Sequence, residues 1–99
     1  MTDRDLDSES LAAALAAFGG TDAERHTVAR QAADLAASGK HARDRSHPLT
    51  AAVVVDELGD AREGSPAERW NWWMGALEVA YGGYEAFQVR RYPGRGPEP

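Results

Sequence analysis

The large apolar side chains are concentrated in one stretch near the end of the chain, between Ser65 and Tyr92. This stretch contains all three tryptophans, all three tyrosines and one of the two phenylalanines. Six of its large side chains recur at spacings of three and four residues, as on one face of an α-helix. They are Trp70, Trp73, Leu77, Tyr81, Tyr84 and Phe87. We therefore expect a long Trp/Tyr-rich C-terminal helix that forms the central element of the fold.

The start of this helix is marked more clearly than its end. Ser65-Pro66-Ala67-Glu68 has the pattern of a capping box with proline in the first turn, which predicts a helix start at Ser65. Gly82-Gly83 interrupts the pattern, and each glycine in a helix interior costs about 0.5–1 kcal/mol relative to alanine. Three interpretations fit: a helix that ends at Tyr81 and is followed by a separate short element, a kinked helix, or a continuous helix. Because the periodicity continues beyond the glycines, we expect a continuous or kinked helix over about 65–91.

Three further helices are predicted upstream, at about 8–18, 21–38 and 49–58. Glycines follow the first two, as is typical of helix C-termini. The third is ambiguous, because its three consecutive valines also suit a buried strand. We favour a helix there, since no second strand is available to pair with it.

These elements predict an all-α fold: a small four-helix domain in which the 99 residues form a single helical domain. The polar stretch 40–48 is expected to be a linker, and residues 1–7 and 93–99 are expected to be disordered tails. Alanine supplies much of the apolar composition but little burial area. The aromatic rings must therefore supply a large share of the core.

The aromatic helix carries a second apolar stripe beside the first. It is formed by Trp72, Ala76, Val79 and Gly83. Three tryptophan rings within four residues span more than half of the helix circumference, so Trp72 needs a packing partner on another side. Exposed tryptophan is typical of protein interfaces. We expect these four residues to form the interface of a symmetric homodimer or of a small subunit in a larger assembly. The alternative is that the first two helices bury both stripes within one chain.

No motif in the sequence identifies a reaction. Phosphate-binding glycine loops, the nucleophile elbow and the zinc-protease HExxH pattern are all absent, and there is no cysteine for disulfide or thiolate chemistry. His41, Asp44 and His47 have the residue types of metal ligands, but residues six apart do not share a helix face. We interpret the two histidines as solvated loop residues. We expect no enzymatic activity, no cofactor and no metal.

The charge distribution leaves one competing hypothesis. A net charge of −5 argues against broad affinity for nucleic acid or for anionic lipid. Basic residues nevertheless cluster in the linker and near the C-terminus: Lys40, Arg43, Arg45, Arg90, Arg91 and Arg95. If the fold brought them together, they could contact phosphates. The alternative function is therefore a small nucleic-acid-binding or regulatory protein.

The N-terminus lacks the basic and then apolar pattern of a secretory signal, and no run approaches the ~18 apolar residues of a membrane span. We expect a cytoplasmic protein. Ten arginines against one lysine, with no isoleucine, indicate a GC-rich coding bias, as in a high-GC bacterium or a salt-loving archaeon.

Trp73-Met74-Gly75 and Tyr81 to Glu85 resemble the Trp-x-Gly turn and the tyrosine signal of the small helical-hairpin proteins exported by specialised bacterial secretion. In that family the turn separates two long helices and the tyrosine signal follows the second. Here both motifs lie inside one predicted helix and cover only a dozen residues, so we do not transfer the function of that family.

Overall fold

A computed structural model describes residues 6–90 of the chain. All regular structure in this range is helical, with no strand, which confirms the predicted all-α class. The α-helices are α1 (Ser8–Ala14), α2 (Asp22–Ser38), α3 (Lys40–Arg45), α4 (Ala51–Gly59) and α5 (Pro66–Tyr81). Short 3₁₀-helices follow α1 and α5, at Leu15–Phe18 and Glu85–Phe87. The tails predicted to be disordered, apart from Leu6 and Asp7, lie outside the described residues.

The helices begin where the local capping signals indicate. Thr50 accepts a hydrogen bond from the backbone N–H of Val53 at 3.2 Å and caps α4, so the valine run lies in a helix and not in a strand. Before α5, the backbone N–H of Ser65 donates to Glu68 at 2.9 Å, and Glu68 N–H donates to the Ser65 hydroxyl at 3.4 Å. Both bonds of the predicted capping box are therefore formed.

The first turn of α5 is also capped by a side chain from α2. Glu24 is only 4% exposed, and its Oε2 accepts a hydrogen bond from the backbone N–H of Ala67 at 2.8 Å. Gly20 allows this approach, since a Cβ there would lie 2.8 Å from Cδ of Pro66. A carboxylate at a helix N-terminus is favoured by the unpaired N–H groups and the helix dipole. The contact fixes the start of α5 against α2.

The prediction of one helix over 65–91 is wrong, and the interpretation in which the helix ends at Tyr81 is correct. Gly82 and Gly83 have φ angles of 79° and 85°, in the left-handed region that favours glycine. Beyond them, Oε1 of Glu78 accepts hydrogen bonds from the backbone N–H groups of Tyr84 and Glu85, at 2.6 and 2.9 Å. These bonds turn the chain back along α5. We call residues 82–90 the return segment.

The predicted linker 40–48 is also corrected, because Lys40–Arg45 forms α3. Gly39, with a φ of 76°, ends α2 and lets α3 begin at the next residue. The domain thus has five α-helices within the described range, and not four. His41 on α3 is buried, so its interpretation as a solvated loop residue is wrong, whereas His47 is exposed.

The core lies between α5 and the other helices. α5 packs against α2 and α4, and α1 packs against the same two helices. Trp70, Trp73 and Leu77 of the first aromatic stripe are buried, as is Tyr84 in the return segment. Tyr81, predicted for the same stripe, is 47% exposed, because it stands at the end of the helix. Within residues 6–90, no helix is long and apolar enough to cross a membrane.

Candidate interaction surface

Residues 70–73 of α5, Trp-Asn-Trp-Trp, project in different directions around the helix. Trp70 and Trp73 are buried and meet edge to face, with ring centroids 5.6 Å apart. Nε1 of Trp70 also donates a hydrogen bond to the carbonyl oxygen of Phe87 at 2.8 Å. The two rings therefore build the core and hold the return segment.

Asn71 binds the return segment through both ends of its amide. Its Nδ2 donates to the carbonyl oxygen of Val89 at 2.8 Å, and its Oδ1 accepts from the backbone N–H of Val89 at 2.7 Å. The side chain thus pairs both backbone groups of a residue that lies outside any helix or strand. Sequence reasoning missed this role, since no local pattern joins residues 18 positions apart.

Trp72 points away from the core. Its side chain is 49% exposed, although large apolar side chains of this chain are mostly buried. The ring borders an open cleft of about 410 Å³, which is also lined by Asp60, Ala61, Arg62 and Glu63. Trp72 is therefore the member of the tetrapeptide that the folded chain leaves accessible.

Small residues continue the exposed surface along α5. Ala76 is exposed, and Val79 is 89% exposed. Gly75 shares this side by helical spacing, and among the described residues a Cβ built on it would meet nothing within 4 Å. We call Trp72, Gly75, Ala76 and Val79 the Trp72 face. It contains three of the four predicted interface residues.

Gly83, the fourth predicted interface residue, lies beyond the end of α5. It is exposed, but its position is explained by contacts within the chain. A Cβ on Gly83 would lie 2.9 Å from Cε of Lys40, and its φ is positive. We therefore place Gly83 at the margin of the Trp72 face.

The Trp72 face carries no charge. Between Trp70 and Tyr81 the only charged side chain is that of Glu78. Its carboxylate is directed to the backbone N–H groups of the return segment. An apolar, uncharged face on a protein with a net charge of −5 is distinct from the rest of the surface.

The residues of the alternative, nucleic-acid hypothesis lie beside carboxylates. Lys40 pairs with Asp44 at 3.0 Å, Arg45 lies 3.8 Å from Glu57, and Arg90 lies 3.5 Å from Glu85. Arg43 is exposed and donates to the backbone oxygen of Ser38 at 3.4 Å. Arg91 and Arg95 lie outside the described residues. Three of these positive charges are thus balanced by a neighbouring acid.

His41 occupies an unusual position for an ionisable group. It is 1% exposed, and neither ring nitrogen has a hydrogen-bond partner within the described range. Its ring lies 5.0 Å from that of His47 and 5.9 Å from that of Trp73, between centroids. Burial lowers the pKa of His41 below its ordinary value, and the charges of His47 and Arg45 act in the same direction.

Asp44 does not join the two histidines. Its Oδ2 accepts hydrogen bonds from Nζ of Lys40 at 3.0 Å and from the hydroxyl of Tyr84 at 2.8 Å. These two bonds hold the pKa of Asp44 below its ordinary value. Within residues 6–90, no three His, Cys, Asp or Glu side chains are arranged to hold a metal ion.

Comparison with known proteins identifies one family. No curated protein and no solved structure matches the chain. The family model of the WNWW domain matches residues 1–78, which is more than half of the chain. Its name spells the tetrapeptide found here at 70–73, in which three residues serve the fold and Trp72 remains exposed. The chain belongs to the WNWW domain family.

Proposed function

We propose that this chain is a non-enzymatic protein-interaction module that associates through the Trp72 face. The associated form is a homodimer or a complex in which this chain is the small subunit. The observation that carries the proposal is the exposure of Trp72 on the side of α5 opposite the core. Trp70, Asn71 and Trp73 each have a packing or hydrogen-bonding role within the chain, whereas about half of the Trp72 surface is in solvent.

Burial of this surface favours association. Transfer of apolar area out of water contributes roughly 25 cal/mol per Å², and tryptophan is enriched among the residues that dominate interface energies. The neighbouring small residues allow another backbone to approach the helix closely. None of the four side chains of the face is charged, so their own burial leaves no unpaired ion behind. The charged side chains of Asp60, Arg62 and Glu63 lie at the edge of the contact, in the cleft beside Trp72.

Nucleic-acid binding is the competing hypothesis, and the dependence of binding on salt concentration distinguishes it from association through the Trp72 face. Association through an apolar face changes little with salt, whereas contacts to phosphates weaken steeply as salt rises. The ion pairs around Lys40, Arg45 and Arg90 favour the first hypothesis. We further propose that the protein acts in the cytoplasm.

The test is the solution mass of the purified protein, measured by sedimentation at low and high salt over a wide concentration range. We expect an assembly larger than the 10.7 kDa chain in the wild type and a folded monomer for Trp72→Glu. Ala13→Glu is the matched control, because Ala13 is exposed on α1 at a different surface. It should assemble like the wild type. A wild type that stays monomeric throughout would contradict self-association through this face.

A further inference from the structure

The Trp72 face has a regular arrangement of sizes along α5. Trp72 lies three residues before Gly75, and Val79 lies three residues after Ala76. A bulky ring therefore stands one helical turn to one side of a small central pair, and a smaller side chain stands one turn to the other side. A surface of this kind is complementary to a reversed copy of itself.

We propose that the partner on this face is a second copy of the chain, with its α5 antiparallel and a two-fold axis between Gly75 and Ala76. This inference rests on the proposed function and names its partner and geometry. Trp72 of each protomer then packs on Val79 of the partner subunit. The two central pairs face each other at the crossing, as the isologous contact of a two-fold dimer requires.

The size pattern selects the antiparallel orientation. In a parallel pair, the two Trp72 rings would meet each other at one end and the two Val79 side chains would leave a gap at the other. Reversing one helix places each ring against a smaller side chain, so the space between the two helices is filled equally well at both ends of the contact.

Gly75 supports a close crossing at this point. Glycine in a helix interior costs about 0.5–1 kcal/mol relative to alanine. Within residues 6–90 nothing occupies the space that a Cβ on Gly75 would fill, so packing among these residues does not require glycine there. A second helix backbone at the crossing does require a small residue.

The charges also fit a reversed copy. An uncharged face avoids the repulsion that two identical charged faces would suffer, and each chain carries a net charge of −5.

The dimensions predict a weak dimer. α5 has 16 residues and is therefore about 24 Å long, and a helix with its side chains is about 10–12 Å wide. Such a strip is smaller than the roughly 800 Å² per partner of a standard interface. We expect a dissociation constant on the order of micromolar, so the protein should be examined well above that concentration.

Disulfide cross-linking of single-cysteine variants tests the geometry directly, because the chain has no cysteine. Helix axes 8–10 Å apart bring facing Cα atoms within reach of a disulfide bond, which needs about 4.4–6.8 Å. Under mild oxidation, Ala76→Cys should form a cross-linked dimer. A mixture of Trp72→Cys and Val79→Cys should cross-link to each other, since one Trp72–Val79 contact remains in the mixed dimer. Neither of these two variants alone should cross-link more than the control, Ala13→Cys.

The outcomes separate the two proposals. Cross-linking of Trp72→Cys alone and Val79→Cys alone would overturn the antiparallel arrangement but leave association through the face intact. A dimeric wild type whose variants all cross-link no better than Ala13→Cys would place the contact elsewhere and overturn the inference. A wild type that is monomeric at all concentrations would overturn self-association itself, and sedimentation detects this without any cysteine.

Discussion

The hydroxyl of Tyr84 donates a hydrogen bond to Oδ2 of Asp44 at 2.8 Å, across a separation of 40 residues. Nζ of Lys40 binds the same oxygen and also lies over the Tyr84 ring, 4.6 Å from its centroid. Burial and the neighbouring Asp44 raise the pKa of Tyr84 well above its ordinary value, so the phenol keeps its proton and remains a donor. This triad joins the return segment to α3.

Replacing Tyr84 by phenylalanine should therefore loosen the return segment without removing its ring from the core. We expect the midpoint of thermal unfolding to fall by about 5 °C, since Asp44 loses a hydrogen bond that water only partly restores. Tyr81→Phe is the matched control, because the Tyr81 side chain is 47% exposed. Equal unfolding temperatures for the two variants would show that the Tyr84 hydroxyl contributes nothing to stability.

Acid should destabilise the fold through His41. Burial lowers the pKa of His41 in the folded chain below the 6.5 of an exposed histidine, so the unfolded chain binds a proton more readily. The contribution of neutral His41 to stability is complete above about pH 6.5 and is lost as the pH falls toward the lower pKa of the folded state. Urea unfolding of the wild type between pH 7.5 and 5.5 should show this loss.

A pair of variants identifies the group responsible. His41→Leu should remove much of the pH dependence of the free energy of unfolding in this range, because leucine has no proton to gain when the chain unfolds. His26→Gln should keep it, since His26 is exposed on α2. A His41→Leu variant with the same pH dependence as the wild type would assign the effect to another group.

Local signals were sufficient to predict most helices and to place Trp72 on a different side of α5 from Trp70 and Trp73. The starts of α2, α4 and α5 depend on capping residues within three positions of the first turn, which a sequence displays directly. The spacing that puts Trp70 and Trp73 on one side of α5 also puts Trp72 on another.

The errors arose where distant contacts decide the structure. The end of α5 depends on bonds from Glu78, Trp70 and Asn71 to the return segment, at separations of six to 18 residues. α3 has a polar sequence, KHARDR, and its one buried side chain, His41, contacts Trp73 on α5. Apolar periodicity contains no information about either set of contacts.

The paired hydrogen bonds between Asn71 and Val89 lead to a third prediction. Asn71→Asp keeps the shape of the side chain but replaces the donor to the Val89 carbonyl by a second acceptor. We expect a loss of about 1–3 kcal/mol in the free energy of unfolding. The backbone N–H of Val89 should also exchange with solvent faster, while that of Ala32, buried on α2, provides an internal reference. Unchanged exchange at Val89 would show that the Asn71 amide does not hold the return segment.

Substitution by alanine should have opposite effects on the stability of the chain at Gly75 and at Gly83. Gly83→Ala should destabilise the chain, because its φ is +85° and the new Cβ would lie 2.9 Å from Lys40. Gly75→Ala places a Cβ in open space on a regular helix and should stabilise the monomer by about 0.5–1 kcal/mol. The same methyl group lies where the second α5 should cross, so it should raise the dissociation constant of the dimer. Denaturation at protein concentrations below the dissociation constant measures the stability of the monomer, and sedimentation at concentrations above it measures association. A Gly75→Ala variant that gains stability and associates as well as the wild type would place the crossing away from Gly75.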